Sequence, residues 1–268
     1  MSAMARTAAL EQVTADGRRQ YRSALGESTE IGNHPRSPPK DVSMTHIRLP
    51  RLLPLLLGVA LIAGCANTAP IPQEWDGLVL RPGTRLGAVF VKPDAEISSY
   101  TSVMLDAVQI QFAANWDPNQ GRRSQAGRLN AADVAAIKER LAALFRETFR
   151  AELARGGYAL VSEPGPETLR VTPVIIDLFI TAPGDMTPGR SRVYTAESGR
   201  MTLVAELRDS VTGELLVRAV DARTGRGTGQ LTWTNSVTNA ADAQVAISVW
   251  ATALRRALDG AYGRAGAN

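Results

Sequence analysis

The chain has 268 residues, 44% of them apolar, a formal charge of +4 and a single cysteine. One thiol closes no internal disulfide, so any core must hold by burial alone. Residues 1–64 hold eight of the 30 Lys+Arg and five of the 26 Asp+Glu, which leaves 22 basic against 21 acidic side chains from Cys65 onward; an excess of +1 lacks the clustered basic footprint of a nucleic-acid binder.

Residues 1–43 are polar, carry "GNHPRSPPKD" and show no apolar period. They predict a dispensable segment: either a start assigned too far upstream of Met44 or a genuine N-terminal extension. Met44 opens "MTHIRLPRLLPLLLGVALIAGC". The apolar run Leu52–Ala63 is about a dozen residues, or ~18 Å as helix, short of a ~30 Å hydrocarbon core. It fits the apolar region of an export signal, with Arg48 and Arg51 as its positive flank. Leu61-Ile62-Ala63-Gly64-Cys65 resembles a bacterial lipobox, in which cleavage falls between Gly64 and Cys65 and the cysteine is acylated. A core cysteine ending a core helix is the structural alternative; it needs neither the arginines nor the polar turn at Ala66-Asn67-Thr68-Ala69-Pro70. Residues 44–64 are thus expected to be a lipoprotein signal peptide. Palmitate-type chains on Cys65 would give the stable anchoring that one chain alone does not. By the sorting rule for such proteins, Ala66 rather than Asp after the cysteine points to the outer membrane.

Residues 65–85 read as lipidated cysteine and tether, and 86–264 as a single α+β periplasmic domain. "LGAVFV", Leu86–Val91, is strand-like and stopped by Lys92-Pro93. "SVMLDAVQIQFA", Ser102–Ala113, reads as one longer strand, with Val108, Ile110 and Phe112 alternating against Gln109 and Gln111. Asn115–Gly127 is a loop, in which Trp116 either lines a cleft or pins the loop to the core. Asn130 caps a helix; Val134, Ile137, Leu141, Leu144, Thr148 and Ala151 form its stripe, widened by Phe145, Phe149 and Leu153. Gly156-Gly157 stops it.

"YALV", Tyr158–Val161, is a short strand, and Thr168–Ala182 is β-rich. Pro183–Arg192 is a loop. "GRMTLVAELRDSVTGELLVRAVDAR" is a hairpin, and Thr232–Val237 a last strand. Asn239 opens a second helix with Ala243, Ile247, Trp250, Leu254 and Leu258 on one side. The order predicts an α+β fold: a mainly antiparallel sheet with two helices packed on one face.

In the hairpin, placing Glu206 opposite Arg218 sets Leu207 against Val217 and Ala205 against Ala219 on one apolar face. A one-residue slip would move every side chain to the wrong face. That register leaves Val211-Thr212-Gly213 as a three-residue loop, with Gly213 at positive φ and Arg208 opposite Leu216. It also predicts a solvent-exposed Glu206–Arg218 pair of small worth.

Candidate chemistry is sparse. Both histidines, His34 and His46, precede Cys65, and Lys92 and Lys138 are the only lysines after it. Histidine- or thiol-dependent catalysis and His/Cys metal sites are therefore excluded from the domain, and no metal or cofactor is expected. Glu206, Asp209 and Glu214 could serve as catalytic or metal carboxylates, but Asp209, Thr212, Gly213 and Glu214 read first as a structural turn. Asp177, inside an apolar strand, needs a partner if buried. Arg122, Arg123 and Arg128 in one loop, and Arg190, Arg192 and Arg200 in another, could hold an anionic glycan or lipid headgroup; solvated loop charge is the alternative.

Tyr158, Val161, Pro164, Gly165, Pro166, Leu169 and Arg170, with the hairpin's Glu206, Leu207, Asp209, Ser210, Thr212, Gly213 and Glu214, carry a family resemblance. Taken with the lipobox, this stretch resembles a family of bacterial lipoproteins known as the domain of unknown function thirty-three thirteen, over roughly Gly77–Tyr262. The resemblance implies envelope localisation and an α+β domain, and supplies no activity. The expectation is an outer-membrane-anchored lipoprotein, non-enzymatic, docking an envelope protein or supporting an envelope assembly. A module for a small anionic ligand or glycan and a carboxylate-only enzyme are the alternatives. An exposed apolar sheet face would favour docking, a pocket with converging arginines a ligand, and buried carboxylates with raised pKa an enzyme.

Overall fold

A computed structural model describes residues 71–120, 128–181, 193–195, 199–225, 232–234 and 236–264. The chain divides into Met1–Ile71 and Pro72–Asn268, and the fold below is that of the second part. The strands are β1 (Glu74–Trp75), β2 (Leu78–Leu80), β3 (Ala88–Val91), β4 (Ser102–Leu105), β5 (Gln109–Phe112), β6 (Ala159–Val161), β7 (Thr168–Ile180), β8 (Val193–Thr195), β9 (Gly199–Asp209), β10 (Leu215–Thr224) and β11 (Thr232–Thr234). Helix α1 is Ala131–Arg155 and α2 is Ser236–Ala261, three residues earlier than Asn239 suggested.

Nine strands form one sheet in the order β1-β2-β3-β10-β9-β7-β4-β6, with β5 also on β7. Pairing is antiparallel except for β4–β6, β4–β7 and β5–β7. The sheet is therefore mainly antiparallel, as expected, with a parallel flank on one side. Strands β8 and β11 pair only with each other, so the last strand does not extend the main sheet.

The expected long strand Ser102–Ala113 is two. β4 runs beside β7 as far as Leu105↔Val171, and β5 resumes at Gln109↔Val174. Opposite the gap is Pro173, which has no N–H to give a neighbouring strand. Asp106 fills the break: its Oδ2 accepts from Arg170 Nε and Thr172 Oγ1, both at 2.8 Å. Further along β7 the registers with both β5 and β9 slip by one residue. Asp177 lies in that bulge at φ 51°. It is half-buried and has a partner.

Both helices pack on one sheet face. Met201, Leu203, Ala205 and Ile175 meet Leu141, Phe145 and Phe149 of α1 and Ile247 and Trp250 of α2. Leu169, Val171 and Leu207 continue the layer to Leu153 and Leu258. Asn130 caps α1: its side chain accepts from Ala132 N at 2.8 Å and Asp133 N at 3.1 Å, while Asp133 returns a bond to Asn130 N. Two stripe positions differ from expectation. Ala151 is exposed and Glu152 is buried, because the charged residue has partners waiting on α2. Of the two stop glycines, Gly157 takes the left-handed conformation, φ 73°.

Part of the expected tether already belongs to the sheet. Trp75↔Leu78 closes a β1–β2 hairpin across Asp76-Gly77, both at positive φ (53° and 76°), the geometry that a two-residue Asp-Gly turn demands. Leu78 and Trp75 are buried, so the folded domain starts before residue 86.

Candidate functional site

The hairpin register is the expected one: Glu206↔Arg218, Leu207↔Val217 and Ala205↔Ala219. Two details differ. Leu215, not Leu216, pairs Arg208, with the ladder shifting between Leu215 and Val217. The loop has four residues, Ser210–Gly213: Asp209 N–H donates to Glu214 O, and Gly213 N–H donates to Asp209 O, each at 3.0 Å. Gly213 takes φ 75° as expected. Asp209 organises the turn, its Oδ1 accepting from Val211 N, Thr212 N and Thr212 Oγ1 at 2.7–3.0 Å. These bonds, led by the Thr212 backbone N–H, hold its carboxyl below the usual range. Its Oδ2 accepts from Tyr100 Oη at 3.0 Å. Burial and then Asp209 push that phenol up to about 12.

The three suspected carboxylates do not converge. Asp209 caps the loop, Glu214 pairs with Lys92, and Glu206 lies on the far sheet face. The Glu206–Arg218 pair is a correction: it is buried, at 4% and 2% exposure, rather than exposed. Arg218 Nε and Nη2 donate to Glu206 Oε1 at 3.0 and 2.8 Å. Arg208 donates twice to Oε2, and Arg218 Nη1 reaches Asp76 Oδ2 at 2.6 Å. Trp75 covers the guanidinium at 4.3 Å. The β1–β2 hairpin is what removes this pair from water. The signal for it was the Asp76-Gly77 dipeptide between apolar residues.

A second ionic group ties the helices together. Glu152 Oε1 accepts from Arg255 Nε at 2.8 Å and Thr252 Oγ1 at 3.3 Å, and Oε2 pairs with Arg155. Burial alone would raise the Glu152 pKa; the hydrogen bond from Arg255, then Arg155 and Thr252, bring it below the usual value. Tyr158 donates to Asp259 at 2.8 Å, and burial followed by that bond raises its pKa. Asp209 and Glu152 are both lowered by the bonds they accept, as carboxylates that fasten a fold are. Among the described residues, no three His, Cys, Asp or Glu side chains are grouped to hold a metal ion.

Gly64, Cys65, Arg122, Arg123, Arg190 and Arg192 lie outside the described residues. Trp116 pins its loop to the core: it stacks on Phe112 with centroids 3.8 Å apart, and its Nε1 donates to Ile180 O at 3.0 Å.

What the sequence did not show is a cleft of about 190 Å³ where α1, α2 and the ends of β7 and β9 meet. Leu141, Leu178, Met201 and Ala246 supply apolar walls and are themselves buried. Three arginines border the same space: Arg140, Arg200 and Arg223. They come from α1, β9 and β10; Arg223, opposite Met201, neighbours Arg200 across the hairpin, and only Arg140 joins them from a distant part of the sequence. Arg223 is committed to Asp221 at 2.5 Å. Asp221 also accepts from the Trp250 indole at 2.8 Å. Arg200 lies over the Phe179 ring at 4.7 Å. Asn239 also borders the cleft, its Nδ2 donating to Thr181 O at 2.9 Å. Described residues show scattered exposed apolar side chains, Val79, Val161, Val211 and Val245 among them. On the sheet face away from the helices, Phe90, Ile176, Val204 and Val220 are all buried. No described helix is long and apolar enough to cross a membrane.

The architecture is therefore an α+β domain with a helix-roofed sheet and one apolar cleft rimmed by arginine. The model of the family described as "Protein of unknown function (DUF3313)" matches residues 75–254, and the chain belongs to that family. No curated protein matches it. Among solved structures it is similar to the PelC dodecamer from Paraburkholderia phytofirmans, at 12% identity over 62% of this chain and 96% of that one, TM-score 0.32. It is also similar to a minor lipoprotein from Acinetobacter baumannii, at 12% identity over 62% and 95%, TM-score 0.30.

Proposed function

We propose that this protein is a lipid-anchored lipoprotein of the bacterial outer membrane, facing the periplasm, and that its domain is a ligand-binding module rather than an enzyme. The anchor rests on Leu61-Ile62-Ala63-Gly64-Cys65 behind an apolar run with flanking arginines. The binding role rests on one observation, the apolar cleft bordered by three arginines from separate elements. A concave apolar wall with a few polar groups is the usual form of a small-molecule site. The carboxylates with shifted pKa, Glu152 and Asp209, are shifted downward and engaged in hydrogen bonds. That favours binding over acid–base catalysis.

Docking of an envelope protein is the competing reading. It draws less support, because the far-face apolar residues Phe90, Ile176 and Val204 are buried. Two measurements test the proposal. Wild-type protein made in a bacterial host should incorporate labelled palmitate and sediment with outer membranes, and Cys65→Ser should do neither. An unlabelled wild-type protein would remove the anchor from the reading. An environment-sensitive apolar fluorophore should brighten on binding the wild-type domain, and lose that signal when Ala243→Phe narrows the cleft. Failure to bind would return docking to the front.

A further inference from the structure

We propose that the β1–β2–β3 edge of the sheet lies against the lipid surface that holds the anchor, with the β6 edge turned away from it. This rests on the lipid anchor of the reading above, not on the cleft. Seven residues, 66–72, separate Cys65 from Gln73, whose carbonyl already accepts from Leu80 N at 2.9 Å. Fully extended, that stretch reaches under ~30 Å. β1 is also the outermost strand on its side of the sheet, so the anchored chain enters the fold at this edge.

The edge is apolar where the cover of the helices ends. Leu207, Val217, Val91 and Val79 stand side by side across β9, β10, β3 and β2. Leu207 lies in the layer under the helices at 6% exposure, while Val79 is 46% exposed. Arg81 continues the ladder, its N–H donating to Val89 O at 2.8 Å, so alternation puts it on the face of Val79. The connection after β2, residues 81–87, holds Arg81 and Arg85 and no acid; both are exposed. Glu74, opposite Val79, is exposed too, and Asp76 is bonded to Arg218.

β6 ends the sheet on the other side, six strand spacings from β2, or about 29 Å. The connection after it, residues 162–167, holds Glu163 and Glu167 and no base. An anionic lipid surface attracts the first edge and repels the second. Exposed valine beside arginine suits the boundary between headgroups and acyl chains. The contact need not be strong. A short tether keeps the edge at an effective concentration on the order of millimolar, so a surface too weak to hold a free protein is occupied on an anchored one.

Two valines at opposite edges test the orientation: Val79 and Val161, 46% and 38% exposed. Acylation consumes the Cys65 thiol, so Val79→Cys and Val161→Cys each give the mature protein one thiol for an environment-sensitive fluorophore. Both sites are exposed, so each labelled protein should keep the wild-type circular dichroism. The lipoproteins are reconstituted in vesicles of phosphatidylethanolamine and phosphatidylglycerol that carry nitroxide-labelled lipid. The fluorophore at position 79 should shift to the blue and lose most of its emission to the nitroxide; at position 161 it should do neither. Arg81→Glu with Arg85→Glu should restore the emission at 79, as should high salt, while sedimentation with vesicles stays unchanged because the anchor holds.

Equal quenching at 79 and 161 in protein that sediments with vesicles would overturn the orientation and leave the anchor. A blue shift at 79 without nitroxide quenching would also overturn it, assigning the edge to a second copy of the chain. Quenching at 79 that ignores both salt and the arginine substitutions would overturn the docking, leaving only the closeness that the tether imposes. Protein that takes up no labelled palmitate and does not sediment would overturn the anchor itself, and the orientation with it.

Discussion

Glu206 and Arg218 stand opposite each other across the hairpin, and the pair is shut from water by a tryptophan from the domain's first strand. Burial changes what each side chain is worth. An exposed pair contributes at most ~1 kcal/mol, but removing one member of a buried pair strands the other's charge, at about 3–5 kcal/mol. Glu206→Gln should lower the unfolding free energy, measured by urea titration, by an amount in that range. The double change Glu206→Leu with Arg218→Met should recover most of the loss, since replacing both charges by apolar groups is often neutral. A double variant no better than the single one would show that Asp76 and Arg208 depend on the pair. Gly213 is a contrasting case. A Cβ there would meet nothing within 4 Å, so its constraint is purely the backbone at φ 75°. Gly213→Val should cost roughly 1–2 kcal/mol, and Gly213→Asn clearly less, because Asn tolerates the left-handed region. Equal losses in thermal unfolding for Val and Asn would mean that the loop relaxes out of that conformation.

At the scale of elements, the helix pair carries a pH signature. Glu152 is held below its ordinary pKa of 4.5 in the fold. A depressed carboxylate contributes stability that is complete above its unfolded pKa and is lost as pH falls through the folded one. The unfolding midpoint should therefore drop as pH falls through and below the ordinary carboxylate range. Glu152→Gln should be less stable than wild type near neutrality and show a shallower drop; an unchanged slope would assign the acid sensitivity to other carboxylates, Asp209 first. The elements themselves were mostly legible. The Asn130 cap, the α1 stripe and the register of β9 and β10 follow from local chemistry and a period that neighbouring residues repeat. What escaped was non-local. The break at Asp106 is set by Pro173 on another strand, and the bulge at Asp177 shows only as a register slip against two partners. Glu206 looked solvent-facing because its cover, Trp75, lies in the stretch that reads as a tether. The cleft was illegible because α1 and α2 come to the end of the hairpin only after folding.

At the scale of the whole molecule, the mature chain as proposed starts at Cys65, and the first strand of the fold starts at Glu74. Expression from Met44 should give the same membrane-bound protein as the full chain, because the polar residues 1–43 offer no core to join; loss of export from that shorter chain would assign residues 1–43 a role in targeting. The topology has a further effect, on timing. β3 has β2 on one side, at Val79↔Val91, and β10 on the other, at Val217↔Val91, so one of its edges waits for a strand far along the chain. The buried guanidinium of that same late strand needs Asp76 and Trp75 from the first. Contacts this distant in sequence form late and slowly. The sheet therefore cannot close on a partial chain: until β10 emerges from the ribosome, the β1–β2–β3 strands have no link to the strands around β7. For a protein exported as proposed, the polypeptide stays threadable for most of its synthesis, and the native sheet assembles only once the C-terminal hairpin has followed it across the membrane.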